Sequence, residues 1–234
     1  MKVWEDPRVK RGMAVQLKRR RELIAAGGKP IGWKIGFGAQ PIMQRLNISG
    51  PLVGFLMQAG HVVSGRTVSL AGWVKPVAEP EVAVYMGKDL AAGADRATAM
   101  AAIAALGPAI ELADLVTPPD DVEAAVAGNI FQRHVVFGPR DPSRAGGKTD
   151  GLVAHIFRRG EEFASTNDFQ ATVGELIGLV QHVASTLGAF GEKLSAGEVI
   201  ITGAVVPPPT VDPDEHDFAY ELAPIGRVSV GFRR

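Results

Sequence analysis

Between Pro76 and Gly87 the chain reads Pro-Val-Ala-Glu-Pro-Glu-Val-Ala-Val-Tyr-Met-Gly, a pattern that fits an extended strand. Residues two apart in a strand share a face, so Glu79, Glu81, Ala83 and Tyr85 point one way. Pro80, Val82, Val84 and Met86 form the opposite, apolar side. The same alternation from Ile31 to Gly38 puts Trp33, Ile35 and Phe37 on one face, with Lys34 between two glycines on the other. From Pro108 to Leu115, Ile110 and Leu112 alternate with Ala109, Glu111 and Ala113, which sets an acid inside a buried-looking strand.

Helical periodicity is clearest over Arg11–Ala26 and Val173–Leu187, with a further helix expected from Arg96 to Leu106, closed by Gly107-Pro108. Thr117 to Asp121 should cap a helix running to Ala127, which Gly128-Asn129 ends. Leu52–Met57 is an apolar stretch, and short strands are expected at His134–Gly138 and at Leu152–Phe157 with Glu161–Ala164. Val199–Gly203 and Gly226–Phe232 complete the set. His61–Val63 and Thr67–Leu70 read as a strand pair joined at Ser64-Gly65. The loop after Pro207-Pro208-Pro209 carries Asp212, Asp214, Glu215, His216 and Asp217 and reads as a solvated tip.

Composition narrows the function. The 234 residues carry 25 basic and 25 acidic side chains and no cysteine. Balanced charge gives no electrostatic case for nucleic acid or an anionic membrane. The missing cysteine rules out disulfides, thiolate metal sites and cysteine nucleophiles, and points to a reducing, cytoplasmic setting. The first residues are charged and lack the apolar core of a signal peptide. Neither a Gly-x-Ser-x-Gly elbow nor a phosphate-binding glycine loop is present.

Two carboxylates on one strand face, roughly 7 Å apart at the backbone, repel each other unless a cation lies between them; the alternative is a solvated outer face with two ordinary surface glutamates. A third acid, Glu111, needs a partner among apolar neighbours. Oxygen donors alone favour a hard cation, Mg2+ or Mn2+. His216 beside Asp217 is a candidate general base, set against an ordinary place in an acidic loop.

Five segments occur in a telling order: Gly32-Trp33-Lys34-Ile35-Gly36, Glu79-x-Glu81, Pro108-Ala109-Ile110-Glu111 with Asp114, Leu194 to Gly203, and Gly226-Arg227-Val228-Ser229-Val230. Together they resemble the 2-keto-4-pentenoate hydratase and 4-oxalocrotonate decarboxylase branch of the fumarylacetoacetate hydrolase superfamily. The resemblance implies an α+β fold, a mixed β-sandwich roll with flanking helices. An N-terminal helical segment over residues 1–30 would precede a single catalytic domain over 31–234.

It further implies Mg2+ or Mn2+ held by Glu79, Glu81 and Glu111, with Lys34 as the catalytic group beside a small 2-oxo acid. Thr202 and Gly203 would offer contacts to that substrate. The implied activity is a hydro-lyase on a 2-hydroxydienoate such as 2-hydroxypenta-2,4-dienoate, as in the degradation of aromatic compounds. The decarboxylase, an acylpyruvate hydrolase and a non-catalytic subunit of an enzyme complex remain alternatives. A homo-oligomer is expected, with a pathway decarboxylase or hydratase as a possible further partner. One departure stands out: the branch carries Pro-Asp-x-Gly where this chain has Pro51-Leu52-Val53-Gly54, and leucine cannot transfer a proton. Asn129 matches an asparagine of the branch.

Overall fold

The computed structural model describes residues 2–116 and 120–234. The first half contains α1 (Pro7–Ala25), β1 (Pro30–Gly36), α2 (Gln40–Leu46), β2 (Leu52–Met57), β3 (His61–Val63), β4 (Thr67–Ser69), β5 (Pro76–Met86), α3 (Arg96–Ala102) and β6 (Ile103–Asp114). The second half contains α4 (Val122–Ala127), β7 (Gln132–Phe137), β8 (Val153–Arg158), β9 (Glu161–Thr166), α5 (Gln170–Val173), α6 (Leu176–Ala189), β10 (Val199–Ala204), β11 (Asp217–Ala223) and β12 (Gly226–Arg233). The strands form two mixed sheets, one ordered β2-β1-β10-β5-β6-β7-β3 and the other β4-β12-β11-β8-β9. This is the expected α+β roll with flanking helices.

The spine is the antiparallel pairing of β5 with β6, which runs from Pro76 opposite Asp114 to Met86 opposite Ile103. The apolar row of β5 behaves as its alternation requires. Val82, Val84 and Met86 are buried in the main core with Ile110 and Leu112 of β6 and Trp33 and Ile35 of β1. The other face is buried too. Leu56, Ala83, Ala109, Val135, Val199 and Ile201 form a second apolar cluster, and register places Glu79, Glu81, Glu111 and Lys34 on that same face.

Asn129 ties β2 to the segment just before β7. The Phe55 N–H donates to Asn129 Oδ1 at 2.8 Å, and Asn129 Nδ2 donates to the Phe55 carbonyl at 2.9 Å. One side-chain amide thus supplies the donor and acceptor that a neighbouring strand would otherwise give.

The N-terminal helix is capped by Asp6, which accepts from the Arg8 N–H, and has Pro7 in its first turn. It is fastened to the roll by buried polar contacts. Gln16 donates to the Val53 and Val126 carbonyls. The Arg20 guanidinium lies 4.5 Å from the Trp33 ring centre and pairs with Glu192 and Glu198.

Several expectations need correction. The alanine-rich helix ends at Ala102, and the chain continues directly into β6. Gly107 and Pro108 sit inside that strand instead of stopping a helix. Burial from Ile103 to Asp114 against a partner strand outweighs the local helix preference of alanine. His61–Val63 and Thr67–Ser69 are both strands but do not pair with each other. The first joins β7 and the second joins β12, so the Ser64-Gly65 turn carries the chain from one sheet to the other.

The helix expected from Val173 is broken at Gly174, which takes φ +100°, and restarts at Leu176 with Glu175 as its cap. β11 was not expected at all, although Phe218, Tyr220 and Leu222 alternate and are fully buried. Asp121 does cap α4, accepting from the Ala124 N–H. The rest of the expected Thr117–Pro119 cap lies outside the described residues.

Candidate metal centre

Glu79 and Glu81 leave β5 from one face, and Glu111 leaves β6 directly opposite Glu79. Each offers a carboxylate oxygen, and these oxygens all lie within 4.8 Å of one another. Glu81 and Glu111 are completely buried, while Glu79 keeps partial access. Lys34, on β1, is 2 % exposed. Its ammonium donates to Glu111 Oε1 at 2.5 Å and to the Ile130 carbonyl at 3.1 Å. The glycines on either side of Lys34 are needed for close approach. A Cβ on Gly32 would fall 1.9 Å from the Val199 carbonyl, and one on Gly36 would fall 2.6 Å from Ile130 Cγ2.

Three carboxylates face one lysine, and the electrostatics record the shortfall. Burial pushes Glu79 up to about 7, the Glu111 charge adds to the rise, and Lys34 opposes it. Burial raises Glu81 well above the usual range; Glu111 and Glu79 push the same way, against Lys34 and the Gly203 N–H. Glu111 is raised by burial too, with Lys34 opposing. For Lys34 burial works against the ammonium, but Glu111, Glu79 and Glu81 outweigh it, so its pKa lies above the ordinary lysine value.

Glu81 Oε1 and Glu111 Oε2 are buried without a hydrogen-bond partner among the described residues. Unpaired buried carboxylate oxygens are costly. Two such oxygens in an all-oxygen set, with charge left over after the lysine, fit a hard divalent cation.

A cavity of about 350 Å³ opens onto this cluster. Lys34, Glu79 and the backbone of Gly203 line its inner end, with Phe37, Ile130 and Phe131 among the apolar walls. Phe37 turns into the cavity where β1 ends, at φ +56°. Asn129, Ile130 and Phe131 all take positive φ, at 60°, 51° and 64°. Such a run in residues other than glycine is strained, and it aims the Ile130 carbonyl at Lys34.

Of the six residues singled out from the sequence, Lys34, Glu79, Glu81 and Glu111 come together. Gly203 joins them, but its N–H donates to Glu81 Oε2 at 2.5 Å. Thr202 does not line the cavity. Its hydroxyl donates to the Val82 carbonyl at 3.1 Å, and it borders a separate small recess beside Leu176 and Leu179. His216 is also absent from the cavity wall. Leu52 is buried opposite Gly36 and does not reach the cavity. Ile130 escaped the sequence reading because it acts through a backbone carbonyl, which no side-chain pattern reveals.

The acidic loop is not a free tip. Glu215 is 3 % exposed and accepts two bonds from Arg158, while Asp212 and Asp214 pair with Arg159.

The fold and this carboxylate cluster define a class, and comparison with known proteins gives it a name. Residues 34–229 match the fumarylacetoacetate (FAA) hydrolase C-terminal family, and the chain belongs to that family. It is 31 % identical over 215 residues to the 2-hydroxyhexa-2,4-dienoate hydratase of Comamonas testosteroni, covering 89 % of this chain and 80 % of that protein. It is 28 % identical over 187 residues to a 4-oxalocrotonate decarboxylase of a Pseudomonas species, covering 77 % of this chain and 70 % of that one. Two structures of the 4-oxalocrotonate decarboxylase from Pseudomonas putida G7 superpose with a TM-score of 0.84 over 95 % of this chain and 85 % of theirs. One is complexed with magnesium and adipate at 24 % identity, the other with calcium and acetate at 25 %. No helix among the described residues is long and apolar enough to cross a membrane.

Proposed function

We propose that this protein is a divalent-metal-dependent hydratase acting on a small 2-hydroxydienoic or 2-oxo acid. The observation that carries the reading is the buried trio Glu79, Glu81 and Glu111, short of positive charge and with unpaired oxygens, at the end of a ligand-sized cavity. These three would hold Mg2+ or Mn2+, the first of which accompanies the decarboxylase of like fold. A bound cation would supply electrophilic stabilisation of the negative charge that develops on a 2-oxo oxygen.

The chain's own groups have separate tasks. Lys34 stays protonated, so it is suited to anchor a substrate carboxylate or to donate a proton rather than accept one. The Ile130 carbonyl and Glu111 fix its ammonium. The Gly203 N–H orients Glu81. Thr202 pins β10 to β5 through Val82 and supports Gly203 from behind. Phe37 and Phe131 keep water from the reacting end of the cavity.

Leu52 favours a second reading. With no acid at that position, a non-catalytic metal-binding place in an enzyme complex competes with hydration, while decarboxylation and hydrolysis of an acylpyruvate are alternatives on the same scaffold that the metal site alone does not separate. Turnover of 2-hydroxypenta-2,4-dienoate, 4-oxalocrotonate and acetylpyruvate with Mg2+ or Mn2+ separates these readings. Water addition to the first substrate is expected. Loss of carbon dioxide from the second, or cleavage of the third, without hydration of the first, would replace the hydratase assignment. Metal binding with no turnover of any of them would favour the non-catalytic role.

A further inference from the structure

The trio and Lys34 account for the inner end of the cavity and leave its apolar wall without a task beyond excluding water. Two aromatic side chains on that wall are tied to the lysine. Phe37 follows Lys34 by three residues, just past the end of β1, and Phe131 follows Ile130, whose carbonyl accepts from the Lys34 ammonium at 3.1 Å. The two ring centres lie 6.1 Å apart with their planes at 62°, an edge-to-face pair. Residues from distant parts of the chain thus bring their rings to one place beside the ammonium.

Filling the core does not by itself call for this arrangement. Phe37 takes φ +56° and Phe131 φ +64°, left-handed values that bulky side chains rarely adopt. Two such residues meeting at one cavity wall mean that the surrounding structure holds a costly backbone in order to place the rings. Ile42, Val77, Ala113 and Leu115 extend the apolar lining. Arg45 and Lys75 also border the cavity, but both are exposed, so water already serves their charge. The volume of about 350 Å³ falls within the roughly 300–1,000 Å³ of cavities that enclose drug-sized ligands. An acid as short as 2-hydroxypenta-2,4-dienoate leaves much of that space, and most of the aromatic surface, unused.

We infer that Phe37 and Phe131 form an aromatic platform for the part of the substrate beyond its 2-oxo acid head, so that the preferred substrate ends in a flat aryl group rather than in a saturated group of the same size. The inference rests on the 2-oxo acid reading of the inner end and adds the recognition of the tail. A third ring entering beside an edge-to-face pair repeats that geometry, meeting a face or an edge of each phenylalanine. Such contacts stabilise beyond the area they bury, which a saturated ring cannot match.

The test uses two stable probes with the same head and length, 2-oxo-4-phenylbutanoate and 4-cyclohexyl-2-oxobutanoate, with pyruvate as the head alone. Binding to the Mg2+-loaded protein is measured by calorimetry for the parent, for Phe37→Leu and for the double variant Phe37→Leu/Phe131→Leu. Apolar area by itself favours the cyclohexyl probe, which buries at least as much hydrocarbon surface. The parent should nevertheless bind the phenyl probe about fivefold more tightly. Phe37→Leu, at the less buried position, should at least halve that preference, and the double variant should lose it while still binding the cyclohexyl probe. Equal affinities in the parent, or tighter binding of the cyclohexyl probe, would overturn the platform without recourse to any variant. A preference unchanged in Phe37→Leu would overturn it as well. Binding of pyruvate but of neither longer probe would remove the platform and leave the inner-end reading in place. Binding of none of the three would bring down both together.

Discussion

Two acidic clusters in this protein have the same number of carboxylates and opposite characters. In the loop between β10 and β11, Asp212, Asp214 and Glu215 face Arg158 and Arg159, and every acid has a guanidinium partner. In the roll, Glu79, Glu81 and Glu111 share the single ammonium of Lys34. The loop cluster is closed by bidentate and shared contacts that need nothing further. The roll cluster leaves buried oxygens unpaired and holds its protons more tightly than ordinary carboxylates do. Acid count therefore does not distinguish a structural network from a site. The charge left unpaired after burial does.

That difference is broken or sharpened by substituting one acid in each cluster. Glu81→Gln should weaken Mn2+ binding by more than about a hundredfold while leaving the metal-free fold at least as stable, because it removes a repulsive buried charge. Calorimetric titration and thermal unfolding of the same samples check both halves. Glu215→Gln should do the reverse. It leaves Arg158 without its buried partner, so stability should fall by about 2 kcal/mol, and metal affinity should be unchanged. If both variants lost stability alike, the contrast between the clusters would fail.

The pH response should follow the same division. In the metal-free protein Glu79 titrates near 7, and Glu81 and Glu111 are also raised. Between the ordinary carboxylate value, about 4.3, and about 7 the native trio binds more protons than the unfolded chain. Its contribution to stability therefore falls as pH rises through that window. Metal binding runs the other way, since the ligands must be deprotonated, so affinity should climb from pH 5 to 8. Because the three acids interact, these are titrations of the cluster rather than of one residue. Urea unfolding at a series of pH values, with and without Mn2+, reads both slopes. The smallest effect is expected for Lys34→Met, which removes a competitor for Glu111. Metal affinity should be retained or a few-fold tighter, with turnover lost, and a large loss of affinity would contradict the role given to Lys34.

The sequence made parts of this legible. Alternation around Glu79 and Glu81 reported a real strand with a real buried face, because a period of two survives any tertiary context that keeps the strand. Glu111 was visible for the same reason. Local patterns failed where long-range pairing decided the outcome. Ala97 to Leu106 is compositionally helical, yet burial against β5 turns its second half into β6. The solvated reading of the acidic loop failed because its two arginine partners lie about fifty residues earlier in the chain, in β8 and the turn after it. Asn129 was noticed, but its part in tying β2 to the start of β7 depends on Phe55, 74 residues away.

On the proposed reading, three acids from β5 and β6 form one binding site for a divalent cation. Titration of the metal-free protein with Mn2+ near pH 7.5, repeated in buffers of different ionisation enthalpy, tests it most directly. Saturation is expected at one ion per chain, with protons released on binding as the raised carboxylates give them up. Absence of saturable binding, or binding without proton release, would contradict it.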